Sequence, residues 1–260
     1  MISMKNRKIE NDLVSVITPV FNGERFLSDA FRSLKGQKFQ NWEWVVVDDC
    51  STDRTQEILR EISVSEGRVS MYSHHKNLGA AAARNTALKK ANGRFFAFLD
   101  VDDFWFPSKL CSQIRFMEDK NCEISFSPYY IANEQGVISN EIWDLTAPNE
   151  INYEKLLKKQ ACFGCSTVIV DKERTGLFQM PDLRSGQDYA TWVKFMREGR
   201  LACKYPEPLS AYRLVPGSVS RNKFKKAIRQ WQIYRDQEGL GLRRSFYYFI
   251  NYAFRAIFRP

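Results

Sequence analysis

The chain has 260 residues, 44% of them hydrophobic and 14% aromatic, which is enough apolar side chain to bury the core of one large domain and excludes a disordered chain. Its formal net charge is +9, and nearly all of that surplus lies after residue 220, where only Asp236 and Glu238 oppose a run of lysines and arginines. No apolar run reaches the roughly 18–20 residues that cross a bilayer, and the opening MISMKNRKIENDL has charge without the apolar stretch of a signal peptide, so the protein is expected in the cytoplasm.

In chain order, LVSVIT (13–18), WEWVVVD (42–48), RVSMYS (68–73) and RFFAFLD (94–100) have the composition of strands. Between them ERFLSDAFRSLKGQ, DRTQEILREIS and LGAAAARNTALKKANG carry apolar residues at helical spacing. Asp53 or Ser51 is placed to cap the second helix, and Gly93 sits where the third should end. This alternation predicts a parallel sheet covered on both faces, with ligands at the carboxyl ends of its strands. Beyond residue 120 the pattern is less regular. EISFSPYY (123–130) is strand-like, a turn surrounds Gly136, and a helix is expected near 151–159. STVIVD (166–171) is strand-like, a helix is expected from Gln187 to Glu198, and short strands fall within 201–213. With no repeat, linker or low-complexity tract, this predicts one mixed α/β domain over 13–220 and a helical tail over 221–260.

The strand ends hold the polar residues: Thr18 to Asn22, then Asp48 and Asp49, then Asp100, Asp102 and Asp103. No GxGxxG follows the first strand, and no GxxxxGK[ST] phosphate loop is present. Three carboxylates at one strand end repel one another unless a cation sits among them. A hard divalent ion, Mg2+ or Mn2+, held by one or two carboxylates and by ligand phosphates, fits such a cluster. The plain alternative is a solvated turn before the helix that Pro107 begins. Six cysteines, Cys50, Cys111, Cys122, Cys162, Cys165 and Cys203, are scattered through the chain and are expected to be reduced. CFGC at 162–165 is a lone CxxC, and His74 and His75 lack a second ligand pair, so no zinc site is expected.

VSVITPVFNGERFLSDAFRSLKGQKFQNWEWVVVDDCSTDRTQEIL, NLGAAAARNTAL and FLDVDDFWFPSKL, in that order and spacing over about the first 120 residues, resemble the family 2 glycosyltransferases of GT-A fold. The resemblance implies a nucleotide-binding half (13–103), an acceptor half (104–220), and an inverting, metal-dependent transfer from a nucleotide diphosphate sugar, usually UDP-linked. Carried over position by position, Pro19, Phe21 and Asn22 match the base-contacting end of the first strand. Asp48 matches the aspartate that reads the nucleobase, and Arg84 the basic residue near the nucleotide. Asp100 and Asp102 form the DxD motif, with Asp102 the first metal ligand and Asp103 beside it. Asp188, in SGQDYATW, matches the general base. Each has a plain alternative: Asp48 and Asp49 as helix caps, Arg84 as a surface residue, Asp188 as an N-cap. In YRLVPGSVSR the residues Tyr212, Arg213, Ser218 and Ser220 match a loop that closes over the diphosphate, with Arg213 or Arg221 pairing with phosphate. Val215 stands where the family commonly has a histidine, which implies weak metal affinity and favours the alternative of a catalytically inactive binding module. Glycoside hydrolysis, a further alternative, needs two acids flanking a sugar and no nucleotide site.

In the tail, helical spacing puts Leu242, Phe246, Phe249, Ile250, Ala253 and Ile257 on one side and Arg244, Asn251, Arg255 and Arg259 on the other. That is the pattern of a helix lying in a lipid surface, and it is preferred here to docking on the domain alone or to nucleic acid. The resemblance is strongest to bacterial enzymes of O-antigen, capsular and teichuronic polysaccharide synthesis. It implies a saccharide acceptor on undecaprenyl diphosphate and a peripheral location on the cytoplasmic face of the inner membrane.

Overall fold

Apolar side chains at alternating strand and helix spacing give the first hundred residues a regular layering. The computed structural model describes residues 11–215 and 223–258. In it β1 (Val14–Val20), α1 (Leu27–Lys35), β2 (Trp42–Asp48), α2 (Thr55–Ser65), β3 (Val69–Ser73), α3 (Ala80–Lys90) and β4 (Phe95–Phe98) follow in the expected order. The four strands pair in parallel in the order β3-β2-β1-β4. Every side chain of β1 and β4 is buried, as a sheet covered on both faces requires. Chain entry to β4 needs a glycine: a Cβ at Gly93 would lie 2.6 Å from the Leu13 carbonyl oxygen and the Ser15 nitrogen.

The second half comprises β5 (Phe104–Trp105), α4 (Lys109–Lys120), β6 (Ile124–Phe126), β7 (Tyr129–Ala132), β8 (Ile138–Trp143), β9 (Glu150–Ile151), α5 (Tyr153–Leu157), β10 (Val168–Asp171), α6 (Lys172–Thr175), α7 (Gln187–Arg197), β11 (Ala202–Lys204) and β12 (Ser210–Arg213). The main sheet continues past β4 as β10-β6-β11-β9, with β10 antiparallel to both its neighbours. A second sheet, β5-β12-β7-β8, lies beside it. The single strand expected over 123–130 is therefore two. It breaks at Ser127-Pro128, where the proline has no N–H to donate, and the two pieces join different sheets. The expectation that all cysteines are reduced is also corrected, since Cys122 and Cys203 form a disulfide between the start of β6 and its neighbour β11.

The tail is α8 (Lys223–Gln232), a π-helical turn (Ile233–Gln237) and α9 (Leu242–Phe258). It docks on the acceptor half: Ile233, Tyr234, Leu240 and Tyr248 share one core with α5 and α7. The Tyr234 hydroxyl donates to the Leu157 carbonyl at 2.6 Å, and that of Tyr153 to Glu238 at 2.8 Å. Docking rotates α9 away from the simple two-sided expectation. Ser245 and Tyr248 face inward, Phe249 is half-buried against Trp231, and Leu242, Phe246, Ile250 and Phe254 are 65%, 60%, 51% and 61% exposed. Ile257 and Arg259, counted in that expectation, lie outside the residues whose side chains are described.

Candidate active site

The carboxyl ends of β1, β2 and β4 converge on one edge of the sheet, and the loops leaving them are tied to one another. After β1, Phe21 is 49% exposed at the mouth, and Asn22 adopts a left-handed backbone (φ 50°). The Asn22 N–H donates to Ser51 Oγ at 2.9 Å while its carbonyl Oδ1 accepts the Thr52 N–H at 2.9 Å, joining the β1 and β2 loops. Pro19, expected to touch the base, lies buried inside β1 in register with Val47, so Phe21 and Asn22 are what that strand end presents. The N-cap of α2 is Arg54 rather than Asp53 or Ser51, and Asp53, one residue earlier, accepts the Thr55 N–H at 3.0 Å.

The two aspartates at the end of β2 separate in role. Asp49 accepts the N–H groups of Leu78 and Gly79 at 2.9 and 2.7 Å and pairs with His74 Nδ1 at 2.7 Å, so it caps the approach to α3. Asp48 is fully buried, with the Ser51 N–H at 3.2 Å from Oδ1 and Gln56 Nε2 at 2.7 Å from Oδ2.

Four residues after β4 form a turn closed by the Asp103 N–H to the Asp100 carbonyl at 3.0 Å. Asp100 pairs with Arg84, which is buried rather than on the surface of α3. Burial works against the Arg84 charge, yet Asp100 above all, with Asp188 adding to it, holds its pKa above the ordinary value. Its Nε and Nη1 have no partner among the described residues. Asp102 is pushed up to about 6 by burial and then by the Asp100 charge. Asp103, expected as a metal ligand, is turned inward and 2% exposed. Its Oδ2 accepts the Ser166 hydroxyl at 2.5 Å and its Oδ1 the Arg213 N–H at 3.0 Å. Burial and the two neighbouring carboxylates raise its pKa well above the usual range.

Arg213 also departs from expectation. Its guanidinium is packed by Phe26 and Phe104, at 4.9 and 5.5 Å from their ring centres, and bonded to the Glu134 carbonyl and Asp29 at 3.1 and 3.2 Å. It is committed to holding α1 and β12 together rather than to a phosphate. Ser218, Ser220 and Arg221 lie outside the described residues.

Asp188 stands in the first turn of α7, but the N-cap is Gly186 (φ 76°) and no side chain caps the helix. Its charge acts on Arg84 and on the buried Cys165 thiol, which puts it electrostatically within the same cluster as Asp100. Sequence reasoning missed Ser166, visible only as the first letter of a strand-like run. Its hydroxyl joins Asp103 and Asp100, and nothing local signals that contact across 63 residues of chain.

A cation fits the cluster by donor chemistry. Asp102 is a half-buried carboxylate that accepts from its own backbone N–H, beside the charge of Asp100. No group of three or more His, Cys, Asp or Glu side chains among the described residues forms a closed cage, so a ligand would have to complete the shell.

The chain is similar in sequence and in fold to known proteins. The family model for glycosyl transferase family 2 matches residues 15–172. The chain is 40% identical to the putative teichuronic acid biosynthesis glycosyltransferase TuaG of Bacillus subtilis, over 94% of this chain and 96% of the relative. It is 36% identical to the UDP-Glc:alpha-D-GlcNAc-diphosphoundecaprenol beta-1,3-glucosyltransferase WfgD of Escherichia coli, over 94% and 93%. Among solved structures, S. aureus TarS 1-349 in complex with UDP superposes with a TM-score of 0.68 at 22% identity, covering 93% of this chain and 71% of that one.

Proposed function

The chain belongs to glycosyltransferase family 2, with the GT-A fold, and from that premise we propose that it transfers a hexose from a UDP-sugar to a hydroxyl of an undecaprenyl-diphosphate-linked saccharide. The observation that carries the reading is the cluster of Asp100, Asp102, Arg84 and Asp188 at the strand ends. It offers a carboxylate pair for a cation, unpartnered guanidinium N–H groups for an anionic ligand, and a separate base. Phe21 and Asn22 line the nucleobase end with Asp48 behind them. Asp102, aided by Asp100, would hold Mn2+ or Mg2+, and that ion would neutralise charge on the diphosphate leaving group.

Asp188 then takes the proton of the acceptor hydroxyl as its oxygen bonds to the anomeric carbon and the bond from that carbon to the diphosphate breaks. A single displacement inverts the anomeric centre. The lipid-linked acceptor is supported by the diphosphoundecaprenol-linked acceptor for which the E. coli relative is named and by the outward stripe of α9. No helix among the described residues is long and apolar enough to cross a membrane. An in-plane helix carrying exposed Leu242, Phe246, Ile250 and Phe254 in a strongly basic tail suits the anionic inner face of a bacterial membrane.

The test is calorimetric titration with UDP, with and without Mn2+, on the wild type and on Asp102→Ala. Metal-dependent binding that the variant loses is the expected result. A wild type that binds no UDP under either condition overturns the donor assignment.

A further inference from the structure

Two of the three aspartates remain for the ligand, and the third holds the turn that presents them. We propose that Ser166 is a positioning residue for donor binding: its hydroxyl latches both ends of the Asp100–Asp103 turn and so fixes where Asp100 and Asp102 meet the diphosphate and its cation. This rests on the donor reading above.

The geometry of the latch is specific. Ser166 Oγ donates to Asp103 Oδ2 at 2.5 Å and accepts the Asp100 N–H at 3.1 Å. A hydroxyl has one proton, so once that proton is given to Asp103 its lone pairs are left to receive Asp100. Two residues past the turn, Trp105 Nε1 donates to the Ser166 carbonyl at 2.8 Å, so one residue grips the turn by side chain and its flank by backbone. Ser166 is itself immobilised. The neighbouring Thr167 carbonyl accepts from Lys109 Nζ at 3.1 Å, Gln113 Nε2 at 3.0 Å and the Ser127 N–H at 3.3 Å. The remaining Asp103 oxygen takes the Arg213 N–H, which brings β12 into the same knot. Ser166 and Asp103 are 5% and 2% exposed, so solvent is poorly placed to replace a lost bond.

Three variants test this: Ser166→Ala, which deletes the hydroxyl, Ser166→Thr, which keeps it, and Asp103→Asn, which preserves volume should the alanine variant fail to fold. UDP binding is titrated across a Mn2+ series, and amide hydrogen exchange over residues 98–106 is followed in ligand-free protein. Removing a partner that orients a metal-binding carboxylate typically weakens metal affinity about 10–100-fold. Ser166→Ala is therefore expected to raise the half-saturating Mn2+ for UDP binding by about that factor. It should also speed exchange at the Asp100 and Asp103 amides, and Ser166→Thr should restore both. Asp103→Asn should shift the Mn2+ dependence in the same direction. Equal loss of UDP affinity with and without Mn2+, or unchanged exchange, overturns the latch. If the wild type binds no UDP, the donor reading falls, while the exchange arm still decides whether Ser166 holds the turn.

Discussion

Asp49 and Asp188 both stand where a sequence reader expects a helix cap, and the fold gives them different work. Asp49 spends both carboxylate oxygens on the N–H groups before α3 and on His74. Asp188 follows a glycine cap, with no side chain capping the helix, and its charge acts on Arg84 and Cys165. A carboxylate spared by its own helix is available to accept a proton. Asp188→Asn is therefore expected to cut turnover by about 10²–10⁴, the usual worth of a positioned base, while calorimetric UDP affinity changes little. Near-wild-type transfer by that variant would remove Asp188 from the mechanism. The same residue-by-residue logic moves Asp103 and Arg213 out of the ligand shell, because both carboxylate oxygens of Asp103 and both Nη groups of Arg213 are already engaged within the protein.

Among the elements, α4 carries an unusual burden. Lys109 is fully buried, bonded to Gln113 Oε1 at 2.7 Å and the Thr167 carbonyl, and burial pulls its pKa down from 10.5 to about 7. The sign follows from which state holds the proton. Below about pH 7 folded and unfolded chains are both protonated, and the folded state bears the cost of a buried charge. Between about 7 and 10.5 the folded chain has released the proton and the unfolded chain has not, so this group's contribution to stability rises with pH. The slope reaches at most about 1.4 kcal/mol per pH unit. Urea unfolding at pH 7 and pH 9 should show wild type gaining stability relative to Lys109→Met over that interval. A constant difference between the two proteins would refute the buried titration.

At the scale of the whole molecule the tail joins two properties. Through Tyr234, Ile233 and Tyr248 it belongs to the core of the acceptor half, and through α9 it offers apolar side chains that are each more than half exposed. Arg229 lies against Gly186, where an added Cβ would stand 3.0 Å from its Cδ, so α8 also backs the start of α7 that carries Asp188. In the proposed setting the tail sets the height of the active site above the lipid. Wild type is expected to co-float with vesicles containing anionic lipid, and the double variant Phe246→Asp, Ile250→Asp to stay with the soluble fraction while its UDP binding is retained. Equal flotation of both proteins would remove the membrane role of this stripe.

The sequence by itself determined the order of the first seven elements, the edge of the sheet that holds the site, and the involvement of Asp48, Arg84, Asp100, Asp102 and Asp188 as candidates. The first two are local, since strand and helix periodicities repeat within a few residues and polar residues at strand ends stand out against apolar neighbours, while the candidate roles rest on the resemblance to the family. Only the tertiary structure decided that EISFSPYY serves two sheets, that Cys122 meets Cys203, that Asp103 faces Ser166 and Arg213, and which side of α9 is open. Each of those depends on contacts between residues far apart in the chain, and a side chain's role there is set by which partner fills its hydrogen bonds or covers its apolar surface, which no periodicity encodes.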